Sequence, residues 1–199
     1  RQEYCRWCAV YSYLEHGRYS AKIDYLCQVA GATRRYKEDW RLTHLRYYQI
    51  AGLTLKLSAD FPITDGIFSP KFEKFRIDKP GEEVISIKLV TGVPKLSELQ
   101  LGKEIYRKPP YAVYQQANSF VYRGIASEDD YDDPRSLAIV NGDYSQMMIC
   151  REGKIYDNLS LQSLTTFVTD QILLAPALAH RQAFYIHSSA MVIDGAGLL

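Results

Sequence analysis

The residues of this chain that could do chemistry fall in three places: a cysteine pair near the start, an acidic run in the middle and a histidine near the end. Cys5-x-x-Cys8 has the spacing of a zinc-ligand pair, and Cys27 and His16 are candidates for further ligands. Cys5 and Cys8, however, lie within a helical pattern of apolar residues, whereas a zinc pair usually sits on a turn where both thiolates converge. We therefore favour small buried residues packed between helices, with a metal site as the alternative.

The acidic run is Glu128-Asp-Asp-Tyr-Asp-Asp-Pro134, which places five acids in six positions. Carboxylates at this density could bind a cation. The run lacks the glycine and the closing glutamate of a calcium-binding loop. It therefore predicts an exposed acidic tip rather than a metal site.

Composition limits the class of protein. The chain has 199 residues and is 47% hydrophobic, and its 24 basic and 23 acidic residues give a net charge of +1. This balance does not favour a nucleic-acid partner. Four cysteines are too few for a secreted disulfide framework, so we expect reduced thiols and a cytoplasmic location. The longest apolar run, Ile172 to Ala179, is far shorter than the roughly 20 residues that span a bilayer, and no membrane partner is predicted.

Three regions must position these residues. Residues 1–43 show helical spacing and are predicted to form a small helical appendage. Residues 44–157 alternate polar and apolar side chains in eight or nine short segments, which predicts an antiparallel β-rich domain. Asn141-Gly142 is its strongest hairpin turn. The aromatic segment Phe61–Pro70 is interpreted as a connection whose phenylalanines pack under the sheet, with a ligand-binding loop as the alternative.

Residues 158–199 switch from a helical to a strand pattern. Ser160 or Ser163 is predicted to cap a long apolar helix that Pro176 kinks or divides. A buried strand then runs from Tyr185 to Ile193, Asp194-Gly195 makes a tight turn, and Leu198 opens a second apolar run. Since the chain begins with Arg1 and stops inside an apolar run, we expect it to be part of a longer polypeptide.

The final stretch resembles the segment that leads into the phosphate-binding loop of HPr kinase-like proteins, a group of the phosphoenolpyruvate-carboxykinase-type P-loop family. The matching residues are His187, Ser188, Ser189, Asp194, Gly195, Gly197, Leu198 and Leu199. The resemblance extends to Arg46–Leu55, to the loop between Leu57 and Phe75, and to Thr169–Leu174. It covers most of residues 44–199, whereas residues 1–43 match nothing that we could name.

The resemblance implies the following about function. A Gly-x-x-x-x-Gly-Lys-Ser/Thr loop that binds ATP and Mg²⁺ would follow Leu199, so this chain holds no cofactor-binding residues of its own and would be inactive alone. His187 would lie near the nucleotide, although a buried core histidine is the preferred interpretation. The intact protein would be an ATP-dependent kinase that phosphorylates a hydroxyl group of a protein, peptide or small metabolite. The resemblance also implies homo-oligomers.

The predicted fold class is therefore α+β. The small helical unit and the antiparallel β-rich layer would lead, through a helix, into the first strands of an incomplete α/β nucleotide domain. A non-catalytic β-rich module that binds a protein or peptide is the alternative function, because the chain is rich in tyrosine and lacks a phosphate-binding loop.

Overall fold

A computed structural model describes residues 43–50, 52–157 and 160–184, together with two strands at 191–193 and 196–198. The predicted helical appendage, including Cys5, Cys8, His16 and Cys27, lies outside the described residues.

The described part is built on one nine-stranded mixed sheet, whose order is β3-β1-β2-β4-β9-β8-β7-β6-β5. Its strands are β1 (Leu45–Ile50), β2 (Leu53–Ala59), β3 (Arg76–Ile77), β4 (Val84–Thr91), β5 (Lys103–Lys108), β6 (Tyr111–Gln116), β7 (Ser119–Gly124), β8 (Ser136–Asn141) and β9 (Gln146–Arg151). Short 3-10 helices occupy Pro70–Phe75, Leu96–Glu98 and Gly153–Asp157. The alternating patterns correctly located eight of these strands, and β3 was missed because it has only two residues.

The prediction of a wholly antiparallel layer was wrong. β4 is the fourth of the nine strands in this order and runs parallel to β2 on one side and to β9 on the other. The connection from β2 to β4 brings the chain back to the edge of the sheet where β2 began, and Val84 therefore pairs with Thr54. The two strands run in the same direction. Period-two alternation indicates which face a side chain occupies but not the direction of the neighbouring strand.

The sheet carries an apolar cluster on each face. Val113 belongs to the first cluster, whereas its neighbours Ala112 and Tyr114 belong to the second. The first cluster is the larger, and it includes Leu173 and Ala177 of a helix. Val93, Leu99 and Leu101, which precede β5, pack against the second.

The interpretation of the aromatic segment as a packed connection is confirmed. Phe68 is buried and makes an edge contact with Tyr48, with ring centroids 6.3 Å apart. Phe61 packs against Tyr156 at 4.1 Å. Side chains of this segment therefore form part of the core.

A single α-helix, α1 (Asp170–Ala179), is described after the sheet. It is shorter than predicted because residues 160–169 form a loop, in which Thr166 and Val168 have positive φ angles of 55° and 44°. Asp170 binds this loop: its carboxylate accepts hydrogen bonds from the Leu164 amide at 3.0 Å and the Thr165 amide at 2.7 Å. The helix continues through Pro176. Among the described helices, none has the length and apolarity needed to cross a membrane.

Two short strands follow: β10 (Met191–Ile193) and β11 (Ala196–Leu198). They pair antiparallel with Ile193 opposite Ala196, which agrees with the predicted hairpin. They form a separate two-stranded sheet rather than joining a parallel sheet around α1. The expectation that residues 158–199 open an α/β nucleotide domain is therefore wrong, because that architecture requires parallel strands connected by helices.

Candidate functional site

The predicted catalytic candidate, His187, lies outside the described residues, as do Ser188 and Ser189 of the same motif. The described chain stops at Phe184 and resumes at Met191. The structure therefore locates the sequence on either side of the motif but gives no geometry for it.

A cavity of about 570 Å³ lies between the sheet and the segment formed by helix α1 and the residues that follow it, up to Phe184. We call it the junction pocket. It is half-open to solvent, and its volume is in the range of small-ligand sites. Its lining comes from the β1–β2 hairpin, the entrance to β4, helix α1 and the segment after α1, namely Ile50, Gly52, Leu53, Leu55, Glu82, Glu83, Ile85, Leu174, Leu178, Arg181, Ala183 and Phe184.

Local structure explains the apolar walls. Ile50 and Leu53 are opposite each other at the closed end of the β1–β2 hairpin, and Gly52 turns the chain there with a φ of +84°. Helix α1 supplies Leu174 and Leu178, which are four residues apart and therefore on one face of the helix. The walls are thus set by regular elements rather than by loops alone.

The rim of the junction pocket carries opposite charges. Arg181 lies just past the end of α1, and its Nε is 3.3 Å from Glu83 Oε2. Arg181 Nη1 also donates a hydrogen bond to the Ala177 carbonyl oxygen at 2.8 Å, as expected of a cation at a helix C-terminus. Glu82 is exposed and makes no ion pair with the residues that the structure describes. The rim is acidic on balance.

Phe184 is the most exposed large apolar side chain on this rim, at 77% exposure. It is followed directly by residues 185–190, which contain the His-Ser-Ser motif. One residue of the pocket lining is therefore the immediate sequence neighbour of the segment that carries the resemblance to kinases. None of the pocket's described lining residues is a serine, cysteine, histidine or tyrosine, so the lining offers no hydroxyl or thiol nucleophile and no histidine base.

A second polar cluster lies at the carboxyl ends of the three parallel strands. The Asp60 carboxylate accepts hydrogen bonds from the Thr91 amide at 3.1 Å and from Thr91 Oγ1 at 3.0 Å. Arg151 Nη1 donates to the Thr166 carbonyl oxygen, while Arg151 Nε is buried without a partner. Burial lowers the pKa of Arg151. These bonds tie strand ends and a loop together, so we regard the cluster as structural.

Two further buried groups lie near this cluster. Burial raises the pKa of the Cys150 thiol to about 12, and it raises the pKa of Tyr156 to about 12. Both side chains therefore stay protonated at neutral pH, and Cys150 is not a nucleophile in this environment.

The acidic run is held by two arginines. Arg123, which is 1% exposed, donates to the Asp130 carboxylate at 2.8 Å and to the Asp132 carbonyl oxygen. Arg107 binds Glu104 at 2.6 Å and its guanidinium carbon lies 4.4 Å from the centre of the Tyr131 ring. The prediction of an exposed tip therefore holds for four of the five acids, Glu128, Asp129, Asp132 and Asp133, but not for Asp130, which is partly buried.

The pKa values of the acids in this cluster follow from their bonds. The Ala126 amide, at 2.8 Å, is the main cause that lowers the pKa of Asp130, and the hydrogen bonds from Arg107 lower the pKa of Glu104. Within the described residues no group of three or more His, Cys, Asp or Glu side chains could hold a metal ion.

The sequence analysis missed Glu82, Glu83 and Arg181 as members of one site. The available signals were the acidic pair just before a strand and the arginine just after a helix. Neither signal says that these two segments meet, because that contact depends on where α1 packs on the sheet.

Comparison of the chain with protein-family models, curated proteins and solved structures gives no match.

Proposed function

We propose that this chain is part of an ATP-dependent kinase of the HPr kinase-like class, which transfers phosphate to a hydroxyl group of a protein, peptide or small metabolite. The observation that carries the proposal is the hairpin of β10 and β11, with Ile193 opposite Ala196. It lies in the stretch that resembles the lead-in to a phosphate-binding loop. A short strand, a tight turn and a second short strand are the elements that the resemblance requires there.

The proposal divides the work between two parts of the protein. A glycine-rich loop after Leu199 would hold ATP and Mg²⁺, with His187 as a candidate neighbour of the nucleotide. The junction pocket would bind the phosphoacceptor, because Phe184 of its lining directly precedes the segment with the His-Ser-Ser motif. The proposed use of ATP implies a cytoplasmic location, and the resemblance implies homo-oligomers.

The test is nucleotide binding by the longer polypeptide that this proposal requires. We expect calorimetry to show binding of Mg²⁺-ATP with a dissociation constant on the order of micromolar, a typical value for a site that cradles phosphates. The matched control is the 199-residue chain, which should bind no nucleotide under the same conditions. Absence of binding to the longer polypeptide would rule out the kinase.

The second candidate is a non-catalytic β-rich module that binds a protein or peptide. The junction pocket favours it, because apolar walls with a charged rim can recognise a partner without any phosphate-binding loop. A longer polypeptide that binds a peptide in this pocket and does not bind Mg²⁺-ATP would select this second candidate.

A further inference from the structure

We infer that the junction pocket binds a polypeptide segment in which an apolar side chain is flanked by lysine or arginine. The identification of this segment as the phosphoacceptor rests on the proposed function. The binding itself is argued from the pocket alone.

The walls select an apolar group. Ile50, Leu53 and Ile85 of the sheet face Leu174 and Leu178 of α1 across a cavity of about 570 Å³. Leu53, Leu174 and Leu178 are only half-buried in the free chain. An apolar side chain in the pocket would remove their remaining apolar surface from water, which is favourable in proportion to the area covered.

The rim selects a cation. It carries two glutamates and one arginine, so its formal charge is −1. Arg181 is already bonded to Glu83 at 3.3 Å and to the Ala177 carbonyl oxygen at 2.8 Å, and its side chain is 21% exposed. The Glu82 carboxylate is exposed at the same rim and forms no ion pair with any described residue. A lysine or arginine beside the apolar group would pair with it.

The same charges argue against an anionic ligand. A triphosphate would meet two carboxylates at the rim, and the arginine nearest to it is already neutralised by Glu83. The junction pocket is therefore suited to the acceptor side of a phosphoryl transfer rather than to the nucleotide.

The open side of the pocket favours a polypeptide over a small molecule. Drug-sized ligands usually bury most of their surface in an enclosed cavity. A half-open cavity instead admits one side chain while the ligand's backbone continues across the rim. Flanking residues then lie close to Glu82 and Glu83, which is where the charge preference acts.

The experiment measures binding of three fluorescein-labelled hexapeptides to the 199-residue chain by fluorescence polarisation, without ATP. The probe is Gly-Lys-Leu-Ser-Lys-Gly, and the two comparison peptides replace both lysines by glutamate or the leucine by glycine. We expect the probe to bind at least about tenfold more tightly than either comparison peptide. Raising the NaCl concentration from about 50 to about 500 mM should weaken its binding.

Protein variants locate the binding site. Glu82→Gln should reduce the preference for the lysine peptide over the glutamate peptide by about threefold or more, and it leaves the Glu83–Arg181 pair in place. Leu178→Trp should weaken binding of the probe by filling the cavity. The matched control is Glu128→Gln with Asp129→Asn, which neutralises exposed acids next to β7, four strands from β2 in the sheet. This control should bind the probe as the unmodified chain does.

Equal affinity for the lysine and glutamate peptides, or a preference between them that Glu82→Gln leaves unchanged, would overturn the inference. If Leu178→Trp does not fold, Glu82→Gln decides, because it alters only an exposed side chain. Failure of peptide binding is distinct from failure of the kinase proposal, which depends on Mg²⁺-ATP. If a longer polypeptide binds Mg²⁺-ATP and this chain does not bind the probe, the kinase proposal stands and the peptide site is ruled out.

Discussion

At the residue scale, Arg123 shows how a charged side chain is kept inside this protein. It is 1% exposed, and it binds the carboxylate of Asp130 and the carbonyl oxygen of Asp132. A buried charge of this kind is tolerated because several acceptors replace the water it lost. The acidic run is thus a loop whose Asp130 and Asp132 bind the buried Arg123.

Replacement of this arginine should cost much of the stability of the protein. We expect Arg123→Met to lower the free energy of unfolding by about 3 kcal/mol, because the Asp130 carboxylate and the carbonyl oxygens of Asp130 and Asp132 each lose a charged donor. Asp130 is 20% exposed, so water compensates in part. Urea unfolding followed by circular dichroism measures the change. Arg135→Met, the same substitution at an exposed position, should change stability by less than about 0.5 kcal/mol, and equal effects at both positions would contradict the account.

The low pKa of Asp130 makes a prediction about acid. The Ala126 amide, the Asp132 amide and Arg123 favour its ionised form in the folded state, so its folded pKa is below the ordinary value of 3.8. The stabilisation from this group is therefore complete above about pH 3.8 and is lost as the pH falls through the folded pKa. We expect the stability difference between the unmodified protein and Asp130→Asn to be largest above about pH 4 and to shrink in more acidic solution.

Urea unfolding at a series of pH values checks this. Asp129→Asn, an exposed neighbour in the same loop, should show little stability difference from the unmodified protein at neutral pH. A difference for Asp130→Asn that stays constant from about pH 6 to about pH 2 would show that its ionised form is not the one that the fold stabilises.

At the element scale, edge strand β5 begins at a close backbone approach to β6 that a glycine permits. Gly102 precedes β5 and has a φ of +79°, and a Cβ at this position would lie 2.3 Å from the backbone oxygen of Gln115 in β6. Gln115 is the pairing partner of Lys103, so the backbones meet where β5 begins. Only glycine fits both the angle and the close approach.

Gly102→Ala should therefore loosen this edge of the sheet. We expect it to lower the free energy of unfolding by about 3 kcal/mol and to speed hydrogen exchange of the β5 amides. Gly52→Ala is the matched control, since Gly52 has a similar φ of +84° but a Cβ added there would have no atom within 4 Å. It should cost only the backbone strain of about 1 kcal/mol. Equal costs at the two glycines would refute the role of the close approach.

At the scale of the whole molecule, the sheet is shared by both apolar clusters. Leu57 belongs to the first and Leu137 to the second, and both are 0% exposed. Since β6, β7, β8 and β9 carry residues of both clusters, one cluster cannot unfold without exposing strands that support the other. The described sheet should unfold as one cooperative unit.

Leu57→Ala and Leu137→Ala test this cooperativity. Each should lower the free energy of unfolding by about 2 to 5 kcal/mol without changing the dependence on denaturant concentration. Far-UV circular dichroism and the near-UV signal of the tyrosines should give the same midpoint in each variant. Two separated transitions in either variant would show that the faces unfold independently.

The pattern of a single strand predicts neither the pocket nor the parallel pairing of β2, β4 and β9. The alternation in Val84 to Val90 predicted strand β4, and the Asn141-Gly142 pair predicted the turn between β8 and β9. The same alternation suits either direction of a neighbour, so the parallel pairing of β4 was not available from it. Ser160 and Ser163 carried a helix-capping pattern, yet the helix begins at Asp170 because its carboxylate is bonded to the preceding loop.

Local sequence patterns were enough to predict most strand positions, the hairpin turns, the burial of Phe68, and the pairing of the strands on either side of Asp194-Gly195. These depend on side-chain periodicity and turn chemistry over a few residues. The direction of β4, the burial of Arg123 and the meeting of Glu82, Glu83 and Arg181 at one rim became visible in the folded chain alone. Each of these depends on contacts between segments far apart in the chain, and their free energies are set by how the segments pack.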